Sequence, residues 1–329
     1  MNWSCPRCRG DLRHAHAALQ CISCLAEFPI IAGIPDLRLP GIASWIDVEA
    51  ERVYACRLLQ ELNDAPTEAW VRRIFSDQTP TDRTRIDVRT RQVMVATRRY
   101  GAELNGWLGA ATSGTGVFLE VGCGAGTLLA AAALAGRQGI GIDVSLVWLL
   151  VAARRVSECG GTPLLAAAFS EALPLRNDAV TGVVSLDVIE HVADPHVYLK
   201  EIDRVLAPGG SVALSTPNRF SLGAEPHVFV WGVGWLPRQW QKRYVRWRSG
   251  KNYEFVKLLG QRELRALLRS DTRIDAKIFA PPIPDEEVAA FSRRRAWLAR
   301  VYNYVVSRRG WQRLTREFGP FFRIVGRKL

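Results

Sequence analysis

The stretch Val117-Phe-Leu-Glu-Val-Gly-Cys-Gly-Ala-Gly126, continued by the small apolar run Thr127 to Ala135, constrains the fold of this chain more than any other segment. A short apolar run that ends abruptly in a GxGxG turn and resumes at helical spacing is a strand, a turn and a helix. The glycines let the backbone turn sharply and approach a ligand closely, with the helix N-terminus behind them. By itself the turn also fits dinucleotide-binding proteins, although their third glycine usually falls one residue later. The next apolar segment, Gly139-Ile-Gly-Ile-Asp143, reads as a second strand and ends in an acid seventeen residues after Gly126. That is about the separation at which a nucleotide-fold acid holds the ribose hydroxyls. Glu120 brings a second carboxylate to the same turn, which suits a cationic ligand and would repel a pyrophosphate.

Three later segments complete a series: Glu171-Ala-Leu-Pro-Leu175, Val183-Val-Ser-Leu-Asp-Val-Ile-Glu-His-Val192, and Leu206-Ala-Pro-Gly-Gly210 ahead of a strand from Ser211 to Ser215. In order and content the five resemble the motifs of class I S-adenosylmethionine-dependent methyltransferases, and within them the ubiquinone and menaquinone methyltransferase-like group. The resemblance implies an α/β, Rossmann-like fold with a seven-stranded sheet and helices on both faces, and S-adenosylmethionine as cofactor. It places Glu120, Gly122, Cys123, Gly124 and Gly126 around the amino-acid end of that cofactor, Asp143 and Val144 at the ribose, and Asp187 along the methyl-donor pocket. Members of the group often carry an Asp just before the E-x-L-P segment to meet the adenine amino group. Here that position is Phe169, which leaves adenine to backbone groups near Ser170 and to apolar contact. The Glu190-His191 pair recurs in the resembled group at the lip of the site. His191 is therefore the candidate base for a hydroxyl acceptor, with capping of the turn as the alternative role.

Four of the seven cysteines fall in the first twenty-four residues, as Cys5-Pro-Arg-Cys8 and Cys21-Ile-Ser-Cys24. Two CxxC turns present four thiolates to one ion and close a tetrahedron with no open position, the pattern of a structural Zn2+ site. A redox pair is the rival. His14 and His16, between the knuckles, are alternative ligands or solvated loop residues. A segment of this size buries little core, so metal would supply its folding energy. With the tail Glu27-Phe-Pro-Ile-Ile-Ala-Gly-Ile-Pro-Asp36-Leu, read as a short strand and a turn, the knuckles resemble the small zinc-ribbon proteins and domains that accompany methyltransferases, which serve as stabilisers, activators or docking surfaces.

The expected organisation is a zinc ribbon over 1–40, a helical linker or lid over 41–112 and the methyltransferase domain over 113–329. The linker has Val53, Leu58, Leu59 and Leu62 at helical spacing and Pro66 and Pro80 as breaks. Within the last domain, residues 217–260 form an insertion where acceptor pockets of this fold lie, and Asn218, Arg219, His227 and Trp231 are the candidates for acceptor recognition. A helix is expected over Gln261 to Arg269, strands over Arg273 to Phe279 and Phe321 to Lys328, and a helical insertion near 285–310 between them.

The net charge of +12 is unevenly spread. From Arg219 to Leu329 there are 24 Lys and Arg against 9 Asp and Glu, together with six of the eleven tryptophans, while the remainder is slightly acidic. Cations interleaved with tryptophan, as in Arg238 to Arg248 and Arg293 to Arg300, suit peripheral contact with an anionic membrane or a lipid-linked substrate. The same composition suits RNA through phosphate contact and base stacking. The start of the chain shows no apolar leader and no run long enough to span a bilayer, so a cytoplasmic protein is expected. The motifs favour methyl transfer to an oxygen of a small-molecule, lipid-linked or glycan acceptor. An rRNA or tRNA methyltransferase and a non-catalytic cofactor-binding scaffold are the alternatives.

Overall fold

The N-terminal cysteine segment folds as a four-stranded antiparallel sheet: β1 (Leu12–Ala15), β2 (Ala18–Cys21), β3 (Glu27–Ile31) and β4 (Ile34–Pro35), in that spatial order. The structure is a computed structural model that describes residues 3–79, 82–112, 116–289 and 292–329. Pro80, one of the two breaks expected in the linker, lies outside the described residues.

Three helices follow, α1 (Val48–Leu62), α2 (Thr67–Gln78) and α3 (Arg83–Glu103), with a single turn, α4 (Gly109–Thr112), after them. Asp47 caps α1 by accepting the backbone N–H groups of Glu49 and Ala50, a contribution of about 1 kcal/mol. The apolar stripe on α1 is narrower than expected. Leu58 is fully buried and Leu59 and Leu62 pack against the core, but Val53 faces solvent.

A seven-stranded sheet carries the rest of the chain. Its strands are β5 (Phe118–Val121), β6 (Gly139–Asp143), β7 (Leu164–Ala167), β8 (Val180–Leu186), β9 (Leu206–Pro217), β10 (Ile274–Phe279) and β11 (Phe321–Lys328), in the order β10-β11-β9-β8-β5-β6-β7. β5 pairs in parallel with β6 and β8, and β6 with β7. All four residues of β5 are buried, as expected of a parallel strand covered on both faces, and this is why Phe118 to Val121 reads as an unbroken run. The helices between strands are α5 (Thr127–Leu134), α6 (Leu146–Glu158), α7 (Pro195–Val205), α8 (Arg238–Ser249), α9 (Gln261–Asp271), α10 (Asp285–Ala289), α11 (Arg293–Ser307) and α12 (Gln312–Phe318). The Leu206 to Gly210 stretch, expected to precede the fifth strand, is part of β9 itself.

The chain divides into two compact units. The first comprises Met1–Leu186, Lys200–Ala213 and Lys328–Leu329, and the second Asp187–Leu199 and Leu214–Arg327. In the first, the main core is built from α1 to α6 packed on β5 and β7, with Trp70, Ile74, Leu128, Leu149 and Phe118 inside. Lys328 closes it, buried with its ammonium donating to Asp178 and to the carbonyls of Asp203 and Leu206. In the second, Val228, Val230, Val233, Val245 and Tyr253 form a separate apolar cluster. Among the described residues no helix is long and apolar enough to cross a membrane.

Candidate active site

The turn after β5 is held by backbone bonds to the neighbouring strand. Gly122 N–H and Cys123 N–H both donate to the Ile142 carbonyl, at 2.7 and 3.2 Å. Two of its glycines are required for different reasons. Gly124 has φ of +48°, and a Cβ there would point into open space, so the backbone is bare toward whatever occupies that space. Gly126 has φ of +67°, and its Cβ would lie 2.8 Å from the Ala152 Cα, so glycine is what lets α6 approach the turn.

Asp143, at the end of β6, accepts from Gly124 N–H at 2.7 Å and Ser145 N–H at 2.8 Å. Burial raises its carboxyl to about 6, against the lowering effect of those two donors. Glu120 is buried on β5, with Oε2 lacking any hydrogen-bond partner. Burial first, and then the Asp143 carboxylate, push its pKa well above the usual range. An acid buried beside another acid with no cation costs folding free energy. It therefore fits the ammonium end of S-adenosylmethionine, while Asp143 fits the ribose and bare Gly124 the close approach between them. Phe169 is buried, and the Ser170 hydroxyl donates to the Glu171 carboxylate beside it at 3.0 Å.

Sequence reasoning missed what backs the Asp143 turn. The Leu37 N–H donates to the Ala167 carbonyl at the end of β7 at 2.7 Å, so the tail of the small sheet extends the large one. Next to it Arg38 is completely buried. Its Nη2 pairs with Asp36 at 2.6 Å and its Nη1 donates to the Val144 carbonyl at 2.9 Å and to the Glu51 carboxylate. Glu51, from α1, accepts the Ser145 hydroxyl at 2.5 Å and the Leu146 N–H at 3.1 Å. Arg52 completes the network on Asp36 at 2.7 Å. Only an acid and a base two residues apart, just after the Gly-Ile-Pro turn, hinted at this in the sequence.

In the small sheet the Cys5, Cys8, Cys21 and Cys24 sulfurs lie within 4.8 Å of one another. Cys5 to Cys24 is 3.7 Å and Cys8 to Cys21 is 3.4 Å. The edge of a tetrahedron with zinc–sulfur bonds of about 2.3 Å is roughly 3.8 Å. The Ser23 and Cys24 N–H groups donate to the Cys21 sulfur at 3.4 Å, the support a thiolate needs. The donor set fits a structural Zn2+. His14 and His16 are not part of this cluster.

The second unit holds the remaining candidates. Asp187, just past β8, has a left-handed backbone (φ of +56°) held by its N–H on the Ser215 carbonyl and the Ser215 hydroxyl on its carboxylate, at 3.0 and 2.8 Å. Glu190 is fully buried. Its Oε2 accepts the Thr216 hydroxyl at 2.9 Å and its Oε1 has no partner. Burial, then the Asp187 charge, push its carboxyl up to about 8. His191 donates Nδ1–H to the Phe255 carbonyl at 3.1 Å, and burial, then His227, lower its pKa, which favours the neutral form. His227 meets it edge to face at 4.7 Å between ring centres.

Of the other acceptor candidates, Asn218 and Arg219 turn out to be fully engaged. Asn218 is buried, with its amide donating to the Glu317 and Gly319 carbonyls at 2.9 Å and its oxygen accepting Phe220 N–H at 3.0 Å. Arg219 is tied to the Gly234 and Leu236 carbonyls and to Glu263. Both side chains hold the insertion in place. Trp231 is 64% exposed, with its indole N–H on the Leu222 carbonyl.

Parallel strands β5 to β8 inside a seven-stranded sheet, with the buried Glu120 and the half-buried Asp143 at a glycine turn, make a Rossmann-like α/β arrangement. The methyltransferase domain family matches residues 119–214. Among curated proteins the chain is similar to the ubiquinone biosynthesis O-methyltransferase of Parvibaculum lavamentivorans, 34% identical over 131 residues covering 38% of this chain and 51% of that protein. It is also similar to that of Maricaulis maris, 31% identical over 159 residues covering 46% and 56%. The chain thus spans about half the length of these relatives. Among solved structures, an S-adenosylmethionine-dependent methyltransferase from Thermotoga maritima aligns with a TM-score of 0.44 at 18% identity, covering 80% of this chain and 100% of that one.

Proposed function

We propose that the protein transfers a methyl group from S-adenosylmethionine to an oxygen of a small-molecule acceptor, as the names of its curated relatives suggest. The observation that carries the cofactor assignment is the buried Glu120 carboxyl beside Asp143, with its Oε2 lacking any partner. When bound, S-adenosylmethionine supplies a sulfonium methyl group for in-line displacement. Glu120 holds the ammonium group, Asp143 accepts from the ribose hydroxyls, and the Gly122 to Gly126 backbone leaves room for the cofactor. Phe169 and the backbone at Ser170 take the adenine. Such a reaction gains most from alignment of donor and acceptor and from exclusion of water. The protein must also take the proton of an acceptor hydroxyl, and the neutral His191, its Nε2 lone pair uncommitted by the Nδ1 bond, is the group suited to it.

Within this reading the four cysteines hold a structural Zn2+, and His227 and Trp231 face the acceptor. Trp240 and Trp247 stand exposed on α8 among Arg243, Arg246 and Arg248, and Phe229 is exposed near them in sequence. This arrangement supports a lipid-linked acceptor met at an anionic membrane surface.

Calorimetric titration of the zinc-loaded chain with S-adenosylmethionine and with NADH, repeated on Asp143→Ala, tests the assignment. Binding of the sulfonium donor alone, weakened at least tenfold by Asp143→Ala, is expected. Binding of neither ligand, or of NADH alone, would overturn it.

A further inference from the structure

We infer that the open edge of β10 binds an acidic, extended peptide segment of a partner protein, which adds to the large sheet as a further strand. β10 stands at the end of the strand order, with β11 as its one strand neighbour among the described residues. A groove of about 740 Å³ runs along it, lined by every residue from Ile274 to Phe279. Side chains of a strand point alternately to opposite faces, and here Ile274 and Ile278 are buried while Asp275 and Lys277 are exposed. Consecutive residues of such a strand share one groove only along their backbone edge. Apart from the Ile274 N–H, which donates to the Thr272 hydroxyl at 3.3 Å, no loop or side chain among the described residues bonds to this stretch of backbone. A strand edge without a ladder partner is the template for strand addition.

The independent observation is the charge around that edge. Arg265 and Arg269 line the groove from α9, four residues apart and so on one helix face, Lys277 lines it from β10 itself and Arg316 from α12. Among the described residues none of the four has a carboxylate partner, and Arg316 donates Nε to the Gln312 carbonyl at 3.1 Å. Asp275 is the one acid in the lining. A second copy of this strand would set the same cations against these, in a part of the chain that carries 24 Lys and Arg against 9 Asp and Glu from Arg219 to Leu329, and like-charge repulsion opposes that pairing. A strand bearing carboxylates is the complementary occupant. Its main chain pairs with β10, and its side chains meet guanidinium groups that bind carboxylates in bidentate form.

Exposed ion pairs contribute little singly, so main-chain pairing supplies the affinity and the cations choose the partner. The same charges that keep the edge from pairing with its own kind therefore admit an acidic strand. All of these residues belong to the second compact unit, and none of them is assigned to the cofactor or the acceptor. The peptide site thus stands independently of the methyl-transfer reading.

The test is fluorescence anisotropy of a labelled peptide of about eight alternating Val and Glu residues, long enough to span the edge, titrated with the full chain at low ionic strength. Saturable binding is expected, weakened at least tenfold by the double substitution Arg265→Glu and Arg269→Glu, and absent for a peptide of alternating Val and Lys. Because the N–H groups of a strand point alternately to its two sides, N-methylation of one alternate set of peptide residues should weaken binding at least tenfold and methylation of the other set should not. An unchanged thermal midpoint shows that the double variant still folds, and the methylated peptides, read on the unmodified chain, decide the question without it. No binding of the Val-Glu peptide, or equal binding of both methylated forms, overturns the inference. Displacement of the peptide by pyrophosphate or a single-stranded oligonucleotide at comparable concentration would assign the cations to phosphate instead. A dimer in sedimentation that the peptide dissociates would assign the edge to a second copy, and either result overturns the inference as well.

Discussion

The Asp143 carboxylate accepts the Gly124 N–H at 2.7 Å, so the end of β6 is tied directly to the glycine turn after β5. One acid thereby shapes the turn.

Because burial raises Asp143 to about 6, its ionised form is lost as pH falls through that value. S-adenosylmethionine affinity is expected to be flat from pH 8 to 7 and to decline below about 6, and Asp143→Asn should bind weakly with no such decline. Calorimetry across the range checks both. In the unliganded protein the sign is opposite. A raised carboxyl pKa favours the fold at low pH, and that contribution is lost as pH rises through about 6.

Glu120→Gln should separate stability from binding. Replacing the buried carboxyl, whose Oε2 has no partner and which has no cation beside it, raises the unliganded thermal midpoint, with a gain of about 1–3 kcal/mol. Losing the partner of the cofactor ammonium weakens S-adenosylmethionine binding at least tenfold. Thermal unfolding with and without the cofactor reads both. A variant less stable than the parent that binds as well would contradict the role given to Glu120.

The ion pairs around the small sheet should differ sharply in value. Arg38→Met leaves the buried Asp36 with only Arg52 and is expected to cost about 3–5 kcal/mol in urea unfolding. It should also weaken S-adenosylmethionine binding, because Arg38 and Glu51 back Val144 and Ser145. Arg9→Ala, which removes a 60% exposed partner of Glu201, should cost under about 1 kcal/mol.

Zinc content should be one ion per chain at the four cysteines, measured by elemental analysis on protein washed free of loosely bound metal. Chelation or Cys21→Ser should release the small sheet, since little core holds it otherwise. Hydrogen exchange would then show lost protection at Cys21 N–H and at Leu37 N–H, which donates to Ala167.

Much of the fold was legible because its signals are local. The Phe118 to Val121 run, the Gly122 to Gly126 turn and the Gly139 to Asp143 strand each follow from a few adjacent residues whose backbone needs are particular to their types. The paired CxxC spacing works the same way, since two tight turns bring four sulfurs together. Val53 misled, because helical spacing alone does not say which residue at the edge of a stripe reaches the core.

The chain's own sequence thus determined the strand–turn–helix chemistry around Asp143, Glu120 and the four cysteines, where the groups that act together lie close in sequence or recur at fixed spacing. Tertiary structure alone decided which distant polar groups meet. It sent the amide of Asn218 to Glu317 and Gly319, buried Arg38 between Asp36, Glu51 and Val144, and set His227 with its Glu225 support against His191. The physical reason is that a buried polar group must find a partner wherever packing supplies one. Its choice is therefore fixed by chain segments that no local pattern connects.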